Sequence, residues 1–425
     1  MSVFSLEHLK EQHHVWVLGL GKTGLALARF CLNHHIDVSV IDDRSEPPGL
    51  DGWQALSQQP VLKDLSGIPE GAVVLISSSF SPLHPWMSIL AEKKVIIGTE
   101  LAIFSALNAK PVIAVTGTNG KTTTCHIIGD ILRQSGYHAI VAGNSGYPLL
   151  DALQDHPDVW VLELSSYQCY WLKATLATVA VILNIEPDHL EWHGGFDAYK
   201  SAKDNLLKHS QAALMRSSDL SFSYLQSTYT FDDQEQAVFK NHLRLTGWDG
   251  ALWHHDQINA LAAVALVDML GIKLLTHLMT DQWTLPHRCQ VWQSPSGRWW
   301  VNDSKATNVA ACMVALSQFL QYDRPIFWLV GGVFKEEVFD WPFDVLPDQI
   351  WCYGQDKKRV AHLLDVPQIR MQDTLQTTLE SLSHLPNNAI ILLSPACASF
   401  DEFSNFEARG HYFLAFARQY ENTKY

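Results

Sequence analysis

The 425-residue chain reads as an α/β protein of three domains. They are a Rossmann-like N-terminal domain over 1–109, a P-loop-type central domain over 110–284 and a Rossmann-like C-terminal domain over 285–425. Three observations predict this. Short runs rich in Val, Ile and Leu alternate with helical stretches along the whole chain, the pattern of parallel sheets covered by helices. A chain of this length fits about three domains as a soft prior. Glycine-rich turns follow two of the apolar runs, where sheets of this class bind nucleotides.

Each element follows in order. In the first block VWVLGLG is a buried strand, 22–34 a helix and VSVID the next strand. VVLIS and VIIG follow, with a helical stretch between them. The second block starts at Pro111 with the strand PVIAVT and a helix from Lys121. HAIVAG, DVWVLELS and VAVILNI are further strands, and 196–209 is a helix. Residues 217–246 are polar and irregular, and the Ala-rich run 259–270 is a buried helix. The third block holds the strand segments WWVNDS, IFWLVGG, QIWCYG and AIILLSPA, and a last helix over 406–420.

The run AVTGTNGKTTT at 114–124 carries the strongest chemistry. A strand enters a turn with Gly117 and Gly120, and Lys121 and Thr122 open a helix. Backbone amides of Gly117, Thr118, Asn119, Gly120 and Thr123 can close around phosphate oxygens at a helix N-terminus. Lys121 neutralises the β- and γ-phosphates, and the Thr122 hydroxyl ligates Mg²⁺. The common P-loop has a glycine five positions before Gly120, where this chain has Val115, so the turn is a shorter variant.

GLGKTG at 19–24 matches the dinucleotide fingerprint, and Asp42 ends the next strand. The physics asks only for a diphosphate on a helix N-terminus and an acid near a ribose or base. NAD and a nucleotide-sugar diphosphate both satisfy it. Glu163 stands at the carboxyl end of a strand, where it can ligate the metal held by Thr122. His189 also follows a strand, and Lys203 lies fourteen residues on. His189 reads as a second-metal ligand or as an ordinary structural histidine. An unmodified lysine is a poor metal partner, whereas a carbamylated one offers an anionic oxygen. In the third block, Asp303, Lys305 and Thr307 follow a strand and read as a ribose and carboxylate site or as a plain capped turn. SPACASFDEFSNFEARG at 394–410 reads as an anion pocket with Arg409. The alternative for Phe400, Phe403 and Phe406 is one face of a helix.

A net charge of −14 argues against nucleic acid or membrane surfaces as partners. Seven scattered cysteines without a CxxC pair suggest neither a disulfide framework nor a zinc knuckle. No apolar run reaches the ~18 residues needed to span a bilayer. A cytoplasmic protein is expected.

Together GTNGKTT, ELSSYQ, DHLEWHG, the lysine of YKSAK, LPHR, NDSKATN and the 394–410 run resemble the Mur ligases. These are ATP-dependent amide-forming enzymes of peptidoglycan precursor synthesis. The C-terminal motifs are similar to those of the branch that adds D-glutamate to UDP-N-acetylmuramoyl-L-alanine. The resemblance implies an acyl-phosphate route, ATP and two Mg²⁺ sites (Mn²⁺ an option), and a monomer. With ATP housed in the second domain, the N-terminal glycines then hold UDP and not NAD. It implies UDP contacts at Gly21, Thr23, Asp42 and Arg44, and contacts to the muramoyl-alanine end at Asn144 and Gln168. Lys121, Glu163, His189 and Lys203 become catalytic, with Thr122, Glu163, His189 and carbamylated Lys203 as metal ligands. Asn259, Arg288 and Asp303 would bind ATP. Lys305, Thr307, Lys335, Ser399, Phe400 and Phe406 would seat D-glutamate. Three positions depart from the family pattern: Leu83 replaces a glycine, Asp256 replaces a common asparagine, and glycines flanking Lys335 are missing.

Overall fold

The computed structural model describes residues 4–12, 14–144, 147–216, 228–231, 237–238, 254–273, 285–339, 341–342, 344–382 and 385–422. Most of the polar stretch 217–246, the boundary at residue 284 and the Asp256 side chain lie outside the described residues and side chains. Two compact units are present. Residues 1–249 and 256–280 form one, and residues 250–255 and 281–425 the other.

The first unit holds two sheets. The N-terminal sheet is parallel, in the order β2–β1–β3–β4, from β1 (Val15–Leu18), β2 (Val38–Ile41), β3 (Val73–Ile76) and β4 (Ile96–Gly98). The helix Lys22–Asn33 packs Leu27, Phe30 and Cys31 against this sheet. The central sheet runs β11–β10–β9–β8–β5–β7–β6. Its strands are β5 (Val112–Thr116), β6 (Ala139–Gly143), β7 (Val159–Glu163), β8 (Ala177–Ile182), β9 (Ser210–Arg216), β10 (Thr228–Phe231) and β11 (Ala237–Val238). Only the β10–β11 pair is antiparallel. All five residues of β5 and of β7 are buried. Central parallel strands are covered on both faces, which is why their sequences are apolar without alternation. Since β5 and β7 are neighbours in register Val115↔Glu163, the turn after β5 and the carboxylate ending β7 emerge together.

The second unit holds one sheet, β12–β13–β17–β14–β15–β16, built from β12 (Gln290–Gln293), β13 (Trp299–Asn302), β14 (Ile326–Gly331), β15 (Gln349–Tyr353), β16 (Ile369–Met371) and β17 (Ile390–Leu393). It is parallel except for the hairpin β12–β13. The short outer strands β12 and β16 go beyond the expected set, as do β9 and, as a correction to the stretch 217–246 expected to be irregular, β10 and β11. Half-exposed edge strands of three or four residues carry little apolar signal. The C-terminal helix spans Phe406–Asn422 and is fastened at its far end. Buried Glu421 accepts from Arg298 at 3.0 Å and from Trp300 Nε1 at 3.0 Å. Among the described residues no helix is long and apolar enough to cross a membrane.

Candidate active site

The turn after β5 is built to close without side-chain help. Gly120 has φ +82° and caps the helix Lys121–Gln134, offering no capping side chain to its first amides. A Cβ there would lie 2.5 Å from Asn259 Oδ1, so buried Asn259 packs directly on the turn. Neighbouring side chains stitch the rest. Asn184 Oδ1 accepts from the Asn119 amide at 2.8 Å. Thr118 Oγ1 lies 2.8 Å from the Tyr199 hydroxyl and accepts from the Glu186 amide at 2.8 Å. The Thr118 hydroxyl thus holds the loop in shape.

Two ammonium groups converge on one carbonyl of this turn. Lys121 Nζ donates to Gly117 O and to Thr118 O, each at 2.9 Å. Lys203, 1% exposed, donates to the same Gly117 O at 2.8 Å and lies 4.8 Å from the Tyr199 ring centre. Burial, reinforced by the charge on Lys121, pushes the Lys203 ammonium down to about 7. Burial also lowers Lys121, against the attraction of Glu163 and Asp188. The arrangement is a concentrated positive site that an anion relieves.

Glu163 is buried at the end of β7 and accepts from Asn144 Nδ2 at 2.9 Å, while the Asn144 amide donates to Glu163 O at 2.8 Å. Gln168 is buried. Its Oε1 accepts from the Ser165 amide at 2.9 Å, and its Nε2 donates to Glu100 at 3.3 Å. His189 sits at φ +53°, exposed, with Nε2 3.4 Å from Asp188 and its ring 5.0 Å from Tyr167. One helical turn on, buried His193 Nε2 lies 3.0 Å from Ser166 Oγ. Burial, with His189 and Lys203 nearby, pushes His193 down to about 4, so its imidazole is neutral.

The N-terminal turn is organised by an acid. Buried Asp42 accepts from the Leu20 amide at 2.7 Å and from Arg44 Nε and Nη2 at 2.9 and 2.6 Å. Burial works against its charge, but the bonds from Arg44 and Leu20 outweigh this and hold the carboxyl below its usual range. A Cβ on Gly24 would fall 1.8 Å from Gly19 O, so helix and strand touch through glycine. A Cβ on Gly21 would meet nothing within 4 Å, which leaves room beside the helix N-terminus. Thr23 lies in the first turn of that helix, partly buried.

In the second unit Asp303 is buried just past β13, where it accepts from Ser394 Oγ at 2.7 Å and from the Cys289 amide at 3.2 Å. Burial pushes it up to about 7, against those bonds and the nearby Arg288. Lys305 Nζ stands 4.4 Å from the Phe406 ring centre, and Thr307 is partly buried on the same loop. Ser399 is buried and Phe400 is 70% exposed, while Lys335 is exposed on the loop after β14. Two expectations need correcting here. The helix begins at Phe406, so Phe400, Phe403 and Phe406 do not form one helical face. Arg409 is no anion pocket: it is 1% exposed and donates to Ser304 Oγ and O and to Cys397 O at 2.8–3.0 Å. It clamps the loops after β13 and β17 together.

With this geometry in view, comparison with known proteins is decisive. A model of the Mur ligase middle domain matches residues 115–242, and one of the MurD-like Mur ligase N-terminal domain matches 13–67. UDP-N-acetylmuramoylalanine–D-glutamate ligase of Vibrio cholerae serotype O1 is 33% identical over 444 residues, covering 96% of this chain and 98% of that protein. The chain belongs to the MurD-type Mur ligases. The protein of the same name from Aliivibrio fischeri is 32% identical, covering 96% of this chain and 97% of its own. Among solved structures, a MurF ligase of Thermotoga maritima in complex with ADP superposes with a TM-score of 0.61 at 17% identity, covering 97% of this chain and 95% of that one. It supports the three-domain Mur ligase architecture.

In this Mur ligase the central turn brings together Gly117, Thr118, Asn119, Gly120, Lys121, Lys203 and Asn259. Sequence reasoning did not single out Asn184, Tyr199 or Thr118 as the residues that shape the turn. Asn184 lies near the end of the VAVILNI segment, and Tyr199 is the first residue of the YKSAK motif. Among the described residues no group of three or more His, Cys, Asp and Glu side chains converges as a metal centre. Thr122 and Glu163 are hard oxygen donors of the kind Mg²⁺ takes. Lys203, as an ammonium donating to a carbonyl, does not fit a cation.

Proposed function

We propose that this protein joins D-glutamate to UDP-N-acetylmuramoyl-L-alanine at the expense of ATP, releasing ADP and phosphate, in peptidoglycan precursor synthesis. The observation that carries the reading is the match to D-glutamate ligases along 96% of the chain. The carboxylate of the alanyl end attacks the γ-phosphorus of ATP, the bond to ADP breaks, and an acyl phosphate forms. The amine of D-glutamate then attacks the acyl carbon, loses a proton and expels phosphate. Positioning and charge neutralisation dominate such phosphoryl transfer.

The chain's own residues supply both. The uncapped amides of the helix Lys121–Gln134 and the Lys121 ammonium face the triphosphate, and Asn259 and Gly120 keep the turn in register. Arg288 and Asp303 bind the nucleotide. Thr122 and Glu163 hold one Mg²⁺, which when bound offsets phosphate charge. Lys203 with a depressed ammonium is suited to take up CO₂: its free amine bonds to the carbon and releases a proton, giving a carbamate. That change converts one of two crowded cations into an anion, and the carbamate with His189 would hold a second metal. Asp42, Arg44, Gly21 and Thr23 receive the uridine diphosphate. Asn144 and Gln168 face the muramoyl-alanine end, and Lys305, Thr307, Lys335, Ser399, Phe400 and Phe406 seat D-glutamate. The protein works as a cytoplasmic monomer.

The test is ADP release from purified protein with each substrate in turn withheld. Release that requires both UDP-N-acetylmuramoyl-L-alanine and D-glutamate is expected. Better turnover with L-alanine or L-lysine in place of D-glutamate would sink the reading.

A further inference from the structure

We propose that Trp192 is a positioning residue that ties the 189–193 segment of the central domain to the substrate-holding end of the N-terminal domain. The proposal rests on the reading of the 19–24 turn as the UDP site. The link can be followed atom by atom. Ser77, just past β3, donates its amide to Leu18 O at 3.0 Å and lies beside Gly19, whose added Cβ would be 3.4 Å from Ser77 Cβ. Ser77 Oγ is 3.0 Å from Ser79 Oγ. Ser79 O accepts from Trp192 Nε1 at 2.9 Å, and Ser81 Oγ donates to Trp192 O at 3.3 Å. One tryptophan is therefore gripped at its ring and at its backbone by a single turn of the other domain.

On its own side Trp192 is equally constrained. Its ring centre lies 4.5 Å from those of both Tyr167 and His193, and its amide donates to His189 O at 3.2 Å. His189 sits in the left-handed region, at φ +53°. A shift of the 77–81 turn on substrate binding thus moves Trp192, and His189 moves with it. Packed side chains and hydrogen bonds of this kind carry coupling when the ligand biases one end.

Hydrogen exchange on the intact protein tests this, with UDP-N-acetylmuramoyl-L-alanine added and ATP and D-glutamate withheld. In the wild type, exchange is expected to slow in segments 19–24 and 189–195 together. Trp192→Phe keeps a ring in the cluster but removes the Nε1 donor. It should keep the protection at 19–24, lose at least half of that at 189–195, and turn over about fivefold more slowly. Its KM for ATP and its melting temperature should be unchanged. Ser81→Ala, which leaves every aromatic in place, should act in the same direction more weakly. Undiminished protection at 189–195 in both variants would overturn the proposal. So would a lowered melting temperature in Trp192→Phe with unchanged kinetics, the mark of a merely structural residue. If the wild type shows no slowing at 19–24, the UDP reading of that turn fails, and the proposal fails with it. Slowing at 19–24 alone overturns the coupling and leaves that reading intact.

Discussion

The turns at 19–24 and 117–122 share a recipe, with glycines between a buried parallel strand and a helix, yet they are organised by opposite charges. Asp42 holds the first, accepting from its Leu20 amide and gripping Arg44. Two lysines fill the second, both donating to Gly117 O. A glycine signature gives a phosphate-sized space at a helix N-terminus, and the groups around it set how much negative charge that space takes. The acid-organised turn suits a diphosphate esterified to a nucleoside whose hydroxyls or base an acid and an arginine can address. The turn that carries Lys121 suits a triphosphate, whose greater charge needs neutralising.

The comparison can be broken most severely at the second turn. Glu163→Ala is expected to lower ADP release about a thousandfold or more, because it removes a buried carboxylate beside the phosphate cradle. Retained phosphorylation of the substrate carboxylate would count against its metal role. Lys203→Ala should cost about a hundredfold, a loss that added bicarbonate does not restore. Near-normal turnover in that variant would remove the carbamate.

A finer cut separates glycines that serve the fold from those that serve the ligand. Gly21→Ala places a methyl in open space, so its melting temperature should hold while KM for the UDP substrate rises about tenfold. Gly24→Ala drives a methyl to 1.8 Å from Gly19 O and should destabilise by ~2–4 kcal/mol, read by chemical denaturation. Gly120→Ala combines φ +82° with a 2.5 Å approach to Asn259 and should cost ~1–3 kcal/mol and weaken ATP alone. Equal stability of all three variants would dissolve the distinction.

A last cut is a pH slope. Lys203 titrates at about 7 in the folded chain against an ordinary 10.5. Between those values the unfolded state binds more protons, so stability rises with pH across that window. Below about 7 the full penalty of a buried ammonium remains. Denaturation in CO₂-free buffer should show this rise, and Lys203→Met should flatten it.

Much of this was legible in the chain itself. Buried parallel strands such as VIAVT and VWVLE announce themselves because both faces must be apolar. Gly117, Gly120 and Lys121 could be read as one cradle because a single turn holds them in consecutive order. Edge strands such as β12 and β16 could not, since each buries too little to imprint a pattern. Nor could the roles of Tyr199 and Asn184, which meet the turn from distant positions in the chain. Arg409 shows the limit most plainly: its place among phenylalanines and small residues suggested an anion pocket, but it spends its donors on carbonyls of two loops.

The sequence by itself determined the three α/β domains, the two glycine turns, and the set of carboxylates, lysines and histidines available for chemistry. These follow from local rules of periodicity, backbone freedom and side-chain type. Tertiary structure alone decided that Lys121 and Lys203 crowd one carbonyl, that Gly24 packs while Gly21 stands open, and that Trp192 is gripped by the Ser79–Ser81 turn. The physical reason is that burial and charge act between atoms close in space, whatever their distance along the chain.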